Sequence, residues 1–512
     1  MSDPEKENYS IDEMMERLKS RSGSTSENEP ELVTREDGTQ VYRVRKRKRR
    51  SRQPHKEKEI KSRRLSLVMI SLATVLAFVA GLGVLAWVLY LNGRGYQGKV
   101  QDRIAEYTSA DVEMRSFRAT PLGVGAEAVD FKWPESSVIK SLFARQISGD
   151  LDFSSHLSGK WSGSLIRAGA VDVVLDKAVG TELGSAGSEG SLPFRFPMRA
   201  GRLSVRMGGL DNSAVAYSEG LGTLTITDPD RPQATLVVEG GKLRIWNWGR
   251  YDMGVGSFTV AEDGVHLGTI VFSPSEMPKS EIRLQSIDDK PLPIRGGEYQ
   301  MNMSLTNLPS EQVLGAGLGS LLEATFDSLG DSDPCVVTAD LTNVQSVRVK
   351  GALTSTPSSM LYLRKLQMFT ALAALMDNPI FHEPRLELKE PISFTRDSEN
   401  GVAIQDFDFD GRGMLRIRGR MSVDPDGNLS GTLEVGIHET WAQLCNSRAL
   451  PMVFSQVGAG YRWGTVNLSG TAKAPVDDLE QQLRAAVEQT PPSTTGEAGL
   501  DDEFESLTNP DR

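Results

Sequence analysis

The sequence predicts a mainly β protein, in which a single N-terminal transmembrane helix is followed by a long antiparallel sheet with a few amphipathic helices. Three observations predict this fold class. Residues 65–91 form a run of 27 residues without a charge. Beyond residue 110, apolar and polar residues alternate with a period of two in many segments, which is typical of strands. Glycine is abundant, with 49 among 512 residues, and it suits the turns and bulges of a sheet.

The alternation is clearest in segment 414–437, MLRIRGRMSVDPDGNLSGTLEVGI. Apolar and polar residues alternate on each side of the turn 424–428. The segment therefore predicts a hairpin with one apolar and one polar face. The predicted apolar face includes Leu415, Ile417, Met421, Val423, Leu433, Val435 and Ile437.

The net charge of −11 averages two unlike regions. Residues 1–64 hold 18 Lys/Arg against 13 Asp/Glu, whereas the remaining 448 residues hold 39 against 55. Such an asymmetry is typical of a chain that contacts a membrane or a nucleic acid.

The uncharged run at residues 65–91 predicts a signal anchor. At about 1.5 Å per residue it makes roughly 40 Å of helix, enough to cross a bilayer with some tilt. A cleaved signal peptide fits poorly, because the run is too long and starts 64 residues into the chain. Predicted anchor residues are Leu65, Leu76, Trp87, Tyr90 and Leu91, with Trp87 and Tyr90 at the expected position of an outer aromatic belt.

The charges that flank this run predict its orientation. Between Arg43 and Arg64 there are 13 Lys/Arg and two acids, whereas residues 93–110 contain three Lys/Arg. The positive-inside rule therefore places the N-terminus in the cytoplasm. The alternative, nucleic-acid binding, lacks interleaved aromatic residues, so topology and attraction to anionic lipid explain the basic run better. The residues expected in this role include Arg47, Lys48, Arg49, Arg50, Arg63 and Arg64.

Composition divides the chain into seven segments. Residues 1–64 are predicted to be a disordered basic cytoplasmic tail, 65–91 the transmembrane helix and 94–180 an N-terminal β region. Residues 181–193, rich in Gly and Ser, are a predicted flexible loop. The central β region, 194–355, contains a hairpin across Gly240-Gly241 and a helix near 309–329. The C-terminal region, 356–489, contains helices from Pro357 and from Pro475, and 490–512 is predicted to be a disordered acidic tail.

Two cysteines, Cys335 and Cys445, lie 110 positions apart without any metal-binding spacing. In an oxidising compartment they could form one disulfide, and otherwise they are two buried thiols. Sequence leaves both alternatives open.

Motifs for catalysis fail in detail. His438-Glu439 lacks the second histidine of a zinc protease motif, and the glycines of 315–320 lie inside a helical pattern rather than after a strand. Asp406, Asp408 and Asp410 resemble the start of a calcium loop, but Ile417 stands where a bidentate Glu is required. We therefore expect no enzyme activity, no cofactor and no metal, and interpret 406–411 as a strand with outward carboxylates.

Two long segments resemble the AsmA-like family of envelope proteins, which are relatives of TamB-type and other bridge-like lipid-transfer proteins. The first is AEYTSADVEMRSFRATPLGVGAEAVDFKWP, which follows the membrane helix and a short amphipathic helix. The second begins with LELKEPISFTRDSENGVAIQDFDFDG, continues through the ribbon 414–437 and ends with VNLSGTAKAPVDDLEQQL. Its Gly470-Thr471 and Pro475 pattern before a terminal helix is typical of that family.

The resemblance implies a strongly curved sheet that forms an open groove with an apolar lining for lipid acyl chains. It also implies an inner-membrane protein whose bulk is periplasmic. The seven apolar ribbon residues above would then line the groove, or alternatively pack as plain core on the helix from Pro357 or on another sheet.

The function expected from this resemblance is phospholipid transport or envelope biogenesis, with membrane lipids and other envelope proteins as partners and no nucleic acid. An alternative is a non-enzymatic scaffold or tether that binds proteins through sheet edges. A third hypothesis places the protein in a eukaryotic secretory membrane, with Asn302, Asn428 and Asn467 as glycosylation candidates.

Overall fold

The structure is a computed structural model. It describes residues 31–34, 36–43, 53–120, 123–152, 161–177, 179, 194–195, 197–208, 213–228, 233–246, 248–261, 264–293, 296–330, 333–340, 343–357 and 359–489. The chain divides into two compact units, Met1–Val84 and Leu85–Arg512. The predicted loop 181–193 and the predicted tail 490–512 lie outside the described residues.

Among the described residues, helices are fewer than strands. They are α1 (Gln53–Leu91), α2 (Arg94–Thr108), α3 (Ser310–Gly319), α4 (Met368–Leu375), α5 (Glu439–Ala442), α6 (Leu450–Val453) and α7 (Leu479–Glu488), with a 3₁₀ turn at Pro379–Phe381.

The strands follow in chain order. They are β1 (Glu31–Thr34), β2 (Gln40–Arg43), β3 (Asp111–Arg115), β4 (Arg118–Thr120), β5 (Gly123–Lys132), β6 (Ile139–Leu151), β7 (Trp161–Ala168), β8 (Ala170–Leu175), β9 (Phe194–Arg195), β10 (Met198–Met207), β11 (Val215–Asp228), β12 (Gln233–Glu239), β13 (Lys242–Ile245), β14 (Gly249–Ala261), β15 (Gly264–Pro274), β16 (Glu281–Ser286), β17 (Glu298–Thr306), β18 (Leu308–Pro309), β19 (Leu322–Glu323), β20 (Thr325–Ser328), β21 (Cys335–Asp340), β22 (Asn343–Ser355), β23 (Tyr362–Leu363), β24 (Glu387–Leu388), β25 (Ile392–Asp397), β26 (Gly401–Gly411), β27 (Leu415–Val423), β28 (Leu429–His438), β29 (Gln456–Gly458), β30 (Tyr461–Gly470) and β31 (Pro475–Asp477).

The long helix α1 contains the predicted anchor. Its stretch Val68–Leu91 is long and apolar enough to span a membrane. The predicted tail differs from the structure in two places: β1 and β2 pair as an antiparallel hairpin, and α1 begins at Gln53, well before the apolar run. These parts of the tail therefore have regular secondary structure.

The fold is mainly β, as predicted, and its described strands form one 27-stranded sheet besides two small two-stranded sheets. Most neighbours in the chain are antiparallel neighbours in the sheet. The prediction of an antiparallel sheet is wrong in part, because β10 runs parallel to β7 and β8, with Met198 beside Ile166 and Leu203 beside Val171. In addition, β9 runs parallel to β7, with Phe194 beside Trp161. A parallel pair needs a crossover connection instead of a hairpin turn. The sheet is therefore mixed.

Gly240 and Gly241 do not form the predicted hairpin. The strands on either side of them, β12 and β13, do not pair with each other but both pair with β11 and β14. The two glycines have φ of 64° and 90°, and a Cβ on Gly241 would lie 2.7 Å from the Ser218 carbonyl oxygen. Glycine is needed because the backbone bends here against its neighbour strand.

Similar irregularities lie side by side on adjacent strands. The register shifts between Ala200 and Leu203 in β10 and between Met253 and Val255 in β14. The Met253 N–H donates to the Gly241 carbonyl, which links the irregularity of β14 to that between β12 and β13. A bulge bends the strand that carries it and increases its twist.

The predicted helices are shorter than expected. The helix near 309–329 ends at Gly319, and the following residues form strands β19 and β20. Of the helix expected from Pro357, only α4 is helical, because Tyr362–Leu363 pairs with Leu322–Glu323. Pro475 does not start α7 but lies in the edge strand β31, where its missing N–H costs no ladder hydrogen bond.

Cys335 and Cys445 do not form a disulfide with each other. Cys335 Sγ lies 3.8 Å from the Ala352 carbonyl oxygen and Cys445 Sγ lies 3.1 Å from the Leu375 carbonyl oxygen. Burial raises the pKa of the Cys335 thiol to about 11. The thiol of Cys335 therefore stays protonated at neutral pH.

Side chains of α2 and of the link between α1 and α2 cap the first edge of the sheet. Asn92 Oδ1 accepts a hydrogen bond from the Ala119 N–H at 2.9 Å, and Asn92 Nδ2 donates one to the Ala119 carbonyl oxygen. From α2, Gln97 donates to the Met114 carbonyl at 3.2 Å, and Gln101 donates to the Val112 carbonyl. These amides occupy backbone groups that an edge strand otherwise offers to another chain.

The last long strand, β30, is capped in the same way between the short strands β29 and β31. Asp478 accepts the Asn467 N–H at 2.8 Å, and Gln482 donates to the Thr465 carbonyl at 2.9 Å. Backbone groups are therefore occupied by side chains at both ends of the sheet.

Replacing Gln97 and Gln101 together by Ala removes two of the caps at the first edge. We expect the free energy of unfolding to fall by about 1 kcal/mol for each lost hydrogen bond, and the exposed edge to promote dimers. Urea unfolding and analytical ultracentrifugation of the full chain in detergent measure both effects. Gln345→Ala, at an exposed position of β22, is the control, and equal behaviour of the two proteins would contradict the capping role.

Candidate functional site

One apolar face runs through the sheet from β7 to β30. Residues that are directly opposite each other on neighbouring strands point to the same face, so the pairing register traces the face from strand to strand. From β7 to β21 the successive partners are Ala168, Ala200, Gly222, Val238, Gly256, Ile270, Leu284, Met303 and Cys335. Beyond β22 the row continues through Phe394, Ile404, Met421, Gly431 and Leu468.

The opposite face is polar. In β26 and β27 Asp408 binds the guanidinium groups of Arg416 and Arg418, the latter at 3.0 Å, and in β13 and β14 Lys242 pairs with Asp252. Burial alone would raise the pKa of Asp408, but the hydrogen bond from Arg416 and the charge of Arg418 lower it below its usual value. Asp408 lies on the polar face, as predicted for the carboxylates of 406–411, but it is only 8% exposed.

The C-terminal part of the apolar face is buried. It contains the seven ribbon residues predicted as groove lining, and all of them are at most 6% exposed. Helix α3 packs on β26 and β27, and helices α5 and α6 pack on β30. A Cβ on Gly317 of α3 would lie 3.1 Å from Val423 Cγ1. A guest molecule reaches these residues only if the covering helices move.

The central part of the same face is covered less completely, because half-buried residues lie there among buried ones such as Val238. Among the described residues, α2 makes extensive contacts with β3, and other helices make them with β18 and with strands that follow β18 in the chain. On β7, β10, β11, β12 and β14, one row of directly paired side chains is therefore partly accessible. We call it the open row: Ile166, Met198, Leu224, Leu236 and Phe258.

Sequence reasoning missed the open row. The alternation around Leu236 in ATLVVEG is short, and the neighbouring bulges shift the period, so apolar residues on one face are not always two apart. Ala200 and Leu203, three residues apart, both belong to the same apolar cluster. The signal that could have found the row is the alignment of several such strands, which one sequence does not supply.

Arg396 interrupts the apolar face between Val349 and Val402, its partners on the neighbouring strands. Its Nη1 donates to the carbonyl oxygens of Gln312 and Val313, at 3.0 Å each. Burial lowers the pKa of Arg396, while Tyr251 opposes that shift, and an arginine still remains charged at neutral pH.

The guanidinium of Arg396 also stacks on a distant aromatic residue. Its Cζ lies 3.9 Å from the centroid of the Trp248 ring, which follows β13. Six hydrogen-bonded steps separate β14 from β25, through β15, β16, β17, β21 and β22. This contact joins two sets of strands that are far apart in the order of the sheet.

The predicted membrane residues occupy different environments. Leu76 and Tyr90 are exposed, at 61% and 54%, whereas Leu91 is fully buried, and Trp87 is half-buried. Leu65, Arg63 and Arg64 lie in α1 with side chains that are not described, and residues 47–50 lie outside the described residues.

In the described part of the chain, no group of three or more His, Cys, Asp or Glu is placed to hold a metal ion. Comparison with known protein families, with curated proteins and with solved structures found no match to this chain. The resemblance to the AsmA-like family therefore stays a prediction.

Leu433→Ala tests whether the ribbon residues are core. Leu433 is 0% exposed, so we expect the free energy of unfolding to fall by about 2–5 kcal/mol, as for other buried Leu→Ala changes. Denaturant unfolding of the full chain measures the loss. The matched control is Leu444→Ala, at a residue that is 72% exposed, for which we expect a change within about 0.5 kcal/mol. Equal effects would contradict the core position.

Proposed function

We propose that the protein is an inner-membrane-anchored envelope protein whose sheet shelters lipid acyl chains and so takes part in phospholipid transport or envelope biogenesis. The observation that carries the proposal is the apolar face, which continues across the sheet and stays half-buried at the open row. A contiguous patch of accessible apolar side chains is typical of a binding site.

The energetics of lipid transfer favour such a surface. Exposing an acyl chain to water costs about 0.8 kcal/mol per CH₂, so a sixteen-carbon chain meets a penalty of about 12 kcal/mol. Apolar side chains that neighbour one another on several strands would remove part of that penalty without any catalytic group.

A curved sheet with an open groove is part of the proposal. In a flat sheet, six steps of about 4.8 Å would separate the strands of Trp248 and Arg396 by at least about 29 Å, yet the two side chains are in contact. The adjacent bulges at Ala200–Leu203, Gly240–Gly241 and Met253–Val255 supply the bending that such a curl requires. Both features support a concave apolar face.

The membrane arrangement rests on α1 and its flanking charges. The stretch Val68–Leu91 has the length and composition of a membrane span, and the 13 Lys/Arg between Arg43 and Arg64 favour a cytoplasmic N-terminus. The sheet would then lie in the periplasm, between the membranes whose lipids it contacts.

The alternative, a scaffold that binds proteins by adding strands to the sheet, is less well supported. Strand addition needs free backbone groups at an edge. Asn92, Gln97 and Gln101 occupy such groups at one end of the sheet, and Asp478 and Gln482 occupy them on β30.

Photocrosslinking from two adjacent residues tests the proposed lipid contact. Leu236 lies in the open row, whereas Val237 is equally half-buried but lies on the opposite face. A photoreactive amino acid at 236, in the full chain in its native membrane, is expected to capture phospholipid that mass spectrometry then identifies. The same amino acid at 237 is the matched control. Equal lipid capture at both positions, or none at 236, would refute lipid binding on this face.

Substituting the basic flank tests the orientation. We expect Gln substitutions at Arg47, Lys48, Arg49, Arg50, Arg63 and Arg64 to invert a fraction of the molecules, because they reduce the charge difference across the helix. Protease protection of an N-terminal epitope tag in spheroplasts measures that fraction. Gln substitutions at Arg94, Lys99 and Arg103, on the other side of the helix, should invert none. Unchanged orientation of the first variant would contradict the charge-based topology.

A further inference from the structure

The first edge of the sheet is fastened directly to the end of the membrane-length helix. The last turn of α1, from Leu85 onwards, belongs to the same compact unit as the sheet. Leu91, the final residue of the membrane-length stretch, is fully buried. The next residue, Asn92, makes two hydrogen bonds with the backbone of Ala119 in β4, at 2.9 and 2.6 Å. Strand β4 is therefore held at the level where the membrane-length stretch ends.

Helix α2 runs along this edge and away from that level. Asn92, before α2, binds Ala119 of β4, whereas Gln101, further along α2, donates to the carbonyl oxygen of Val112 in β3. The edge therefore has one end close to the membrane-length stretch and one end remote from it. We call these the near end, residues 92–99 with 114–120, and the far end, residues 100–113.

Charges are segregated between the two ends. The near end contains four basic residues and no acid, and all four are exposed. We call them the basic collar: Arg94, Lys99, Arg115 and Arg118. The far end contains four acids, and its one basic residue, Arg103, pairs with Glu106 at 3.1 Å. The near end is thus positive and the far end negative.

The strands next to this edge carry acids at the level of the near end. These are Glu127 of β5, Asp150 of β6 and Asp152, which follows β6, and Glu127 accepts a hydrogen bond from Ser116 at 2.9 Å. The positive charge is therefore concentrated on α2, β3 and β4, which directly follow α1 in the chain.

Aromatic side chains lie at the same level. The centroid of the Tyr96 ring is 5.7 Å from that of Tyr90, in α1, and 6.4 Å from that of Phe117, between β3 and β4. Tyr90 is exposed, and Tyr96 and Phe117 are half-buried. Aromatic residues are enriched where a membrane meets water, and long basic side chains beside them can reach the head groups.

We propose that the near end docks on the membrane surface at which the membrane-length stretch ends, with the basic collar bound to anionic lipid head groups. A bilayer surface is the partner that fits, because the collar directly follows the membrane-length stretch and has the opposite charge to anionic lipid. This inference rests on the proposed membrane arrangement and adds to it a fixed contact between the first strands and the bilayer.

Photocrosslinking at two phenylalanines tests the docking. A photoreactive phenylalanine analogue replaces Phe117 at the near end or, as the matched control, Phe131, which is also half-buried and lies opposite Val112 of the far end. The full chain is reconstituted in vesicles that contain phosphatidylglycerol and phosphatidylcholine with identical acyl chains in equal amounts. We expect more lipid to be captured at 117 than at 131, and the lipid captured at 117 to be enriched in phosphatidylglycerol.

Substitutions of single arginines test the basic collar. We expect Arg118→Gln to lower the ratio of phosphatidylglycerol to phosphatidylcholine captured at 117 by about fivefold, which corresponds to about 1 kcal/mol for one basic residue near a charged surface. Arg103→Gln removes an arginine of the far end and should leave the ratio unchanged. Arg118→Lys keeps the charge and should retain most of the preference.

Salt provides a measurement that needs no substitution in the collar. At about 1 M ionic strength the screening length falls to about 3 Å, so we expect the preference for phosphatidylglycerol at 117 to be lost. This measurement replaces Arg118→Gln if that variant does not fold, and a preference that persists in high salt would overturn the electrostatic contact.

The remaining outcomes are distinguishable. Lipid capture at 117 that is no higher than at 131, or crosslinks from 117 to a second copy of the chain instead of lipid, overturns the docking. A ratio that is unchanged in Arg118→Gln, or that falls equally in Arg103→Gln, overturns the role of the basic collar. Release of the chain from the vesicles by alkaline carbonate would instead overturn the membrane arrangement, whereas lipid capture at 236 tests the proposed function separately.

Discussion

Cross-strand register is the constraint on which the rest of this structure depends. Side chains that are opposite each other on paired strands share a face. A register shift of one residue moves all later side chains of that strand to the other face. Here the pairing keeps Ala168 of β7 and Leu468 of β30 on one apolar face. At register shifts such as the one between Ala200 and Leu203, the extra residue keeps the apolar side chains on both sides of the bulge on the same face.

The same face has two environments because helices cover only part of it. On β26 to β30, helices α3, α5 and α6 complete a core in which Leu433 and Val435 are fully buried. In the part formed by β7 to β14, Leu236 of β12 lies between Leu224 of β11 and Phe258 of β14, and its side chain stays half-buried. Burial by helices gives the first part its stability, and incomplete burial makes the second part the better candidate for binding.

The contact between Arg396 and Trp248 connects these two environments. It places a charged group of β25 against the hairpin end that follows β13. Capped edges complement this arrangement, because side chains such as Gln101 and Gln482 occupy backbone groups that would otherwise pair with another chain. Strand addition at these edges would therefore have to displace those side chains.

The sequence by itself determined the membrane-length helix, the mainly β fold and the two faces of the ribbon 414–437. These features are local, since an uncharged run and an alternation of period two follow from the order of neighbouring residues. Only the tertiary structure determined which part of the apolar face is covered by helices. It also determined that the chain bends at Gly240-Gly241 without forming a hairpin, and that β10 pairs in parallel with β8. Each of these depends on contacts between residues far apart in the chain, such as Arg396 with Trp248, and no local pattern encodes such a pairing.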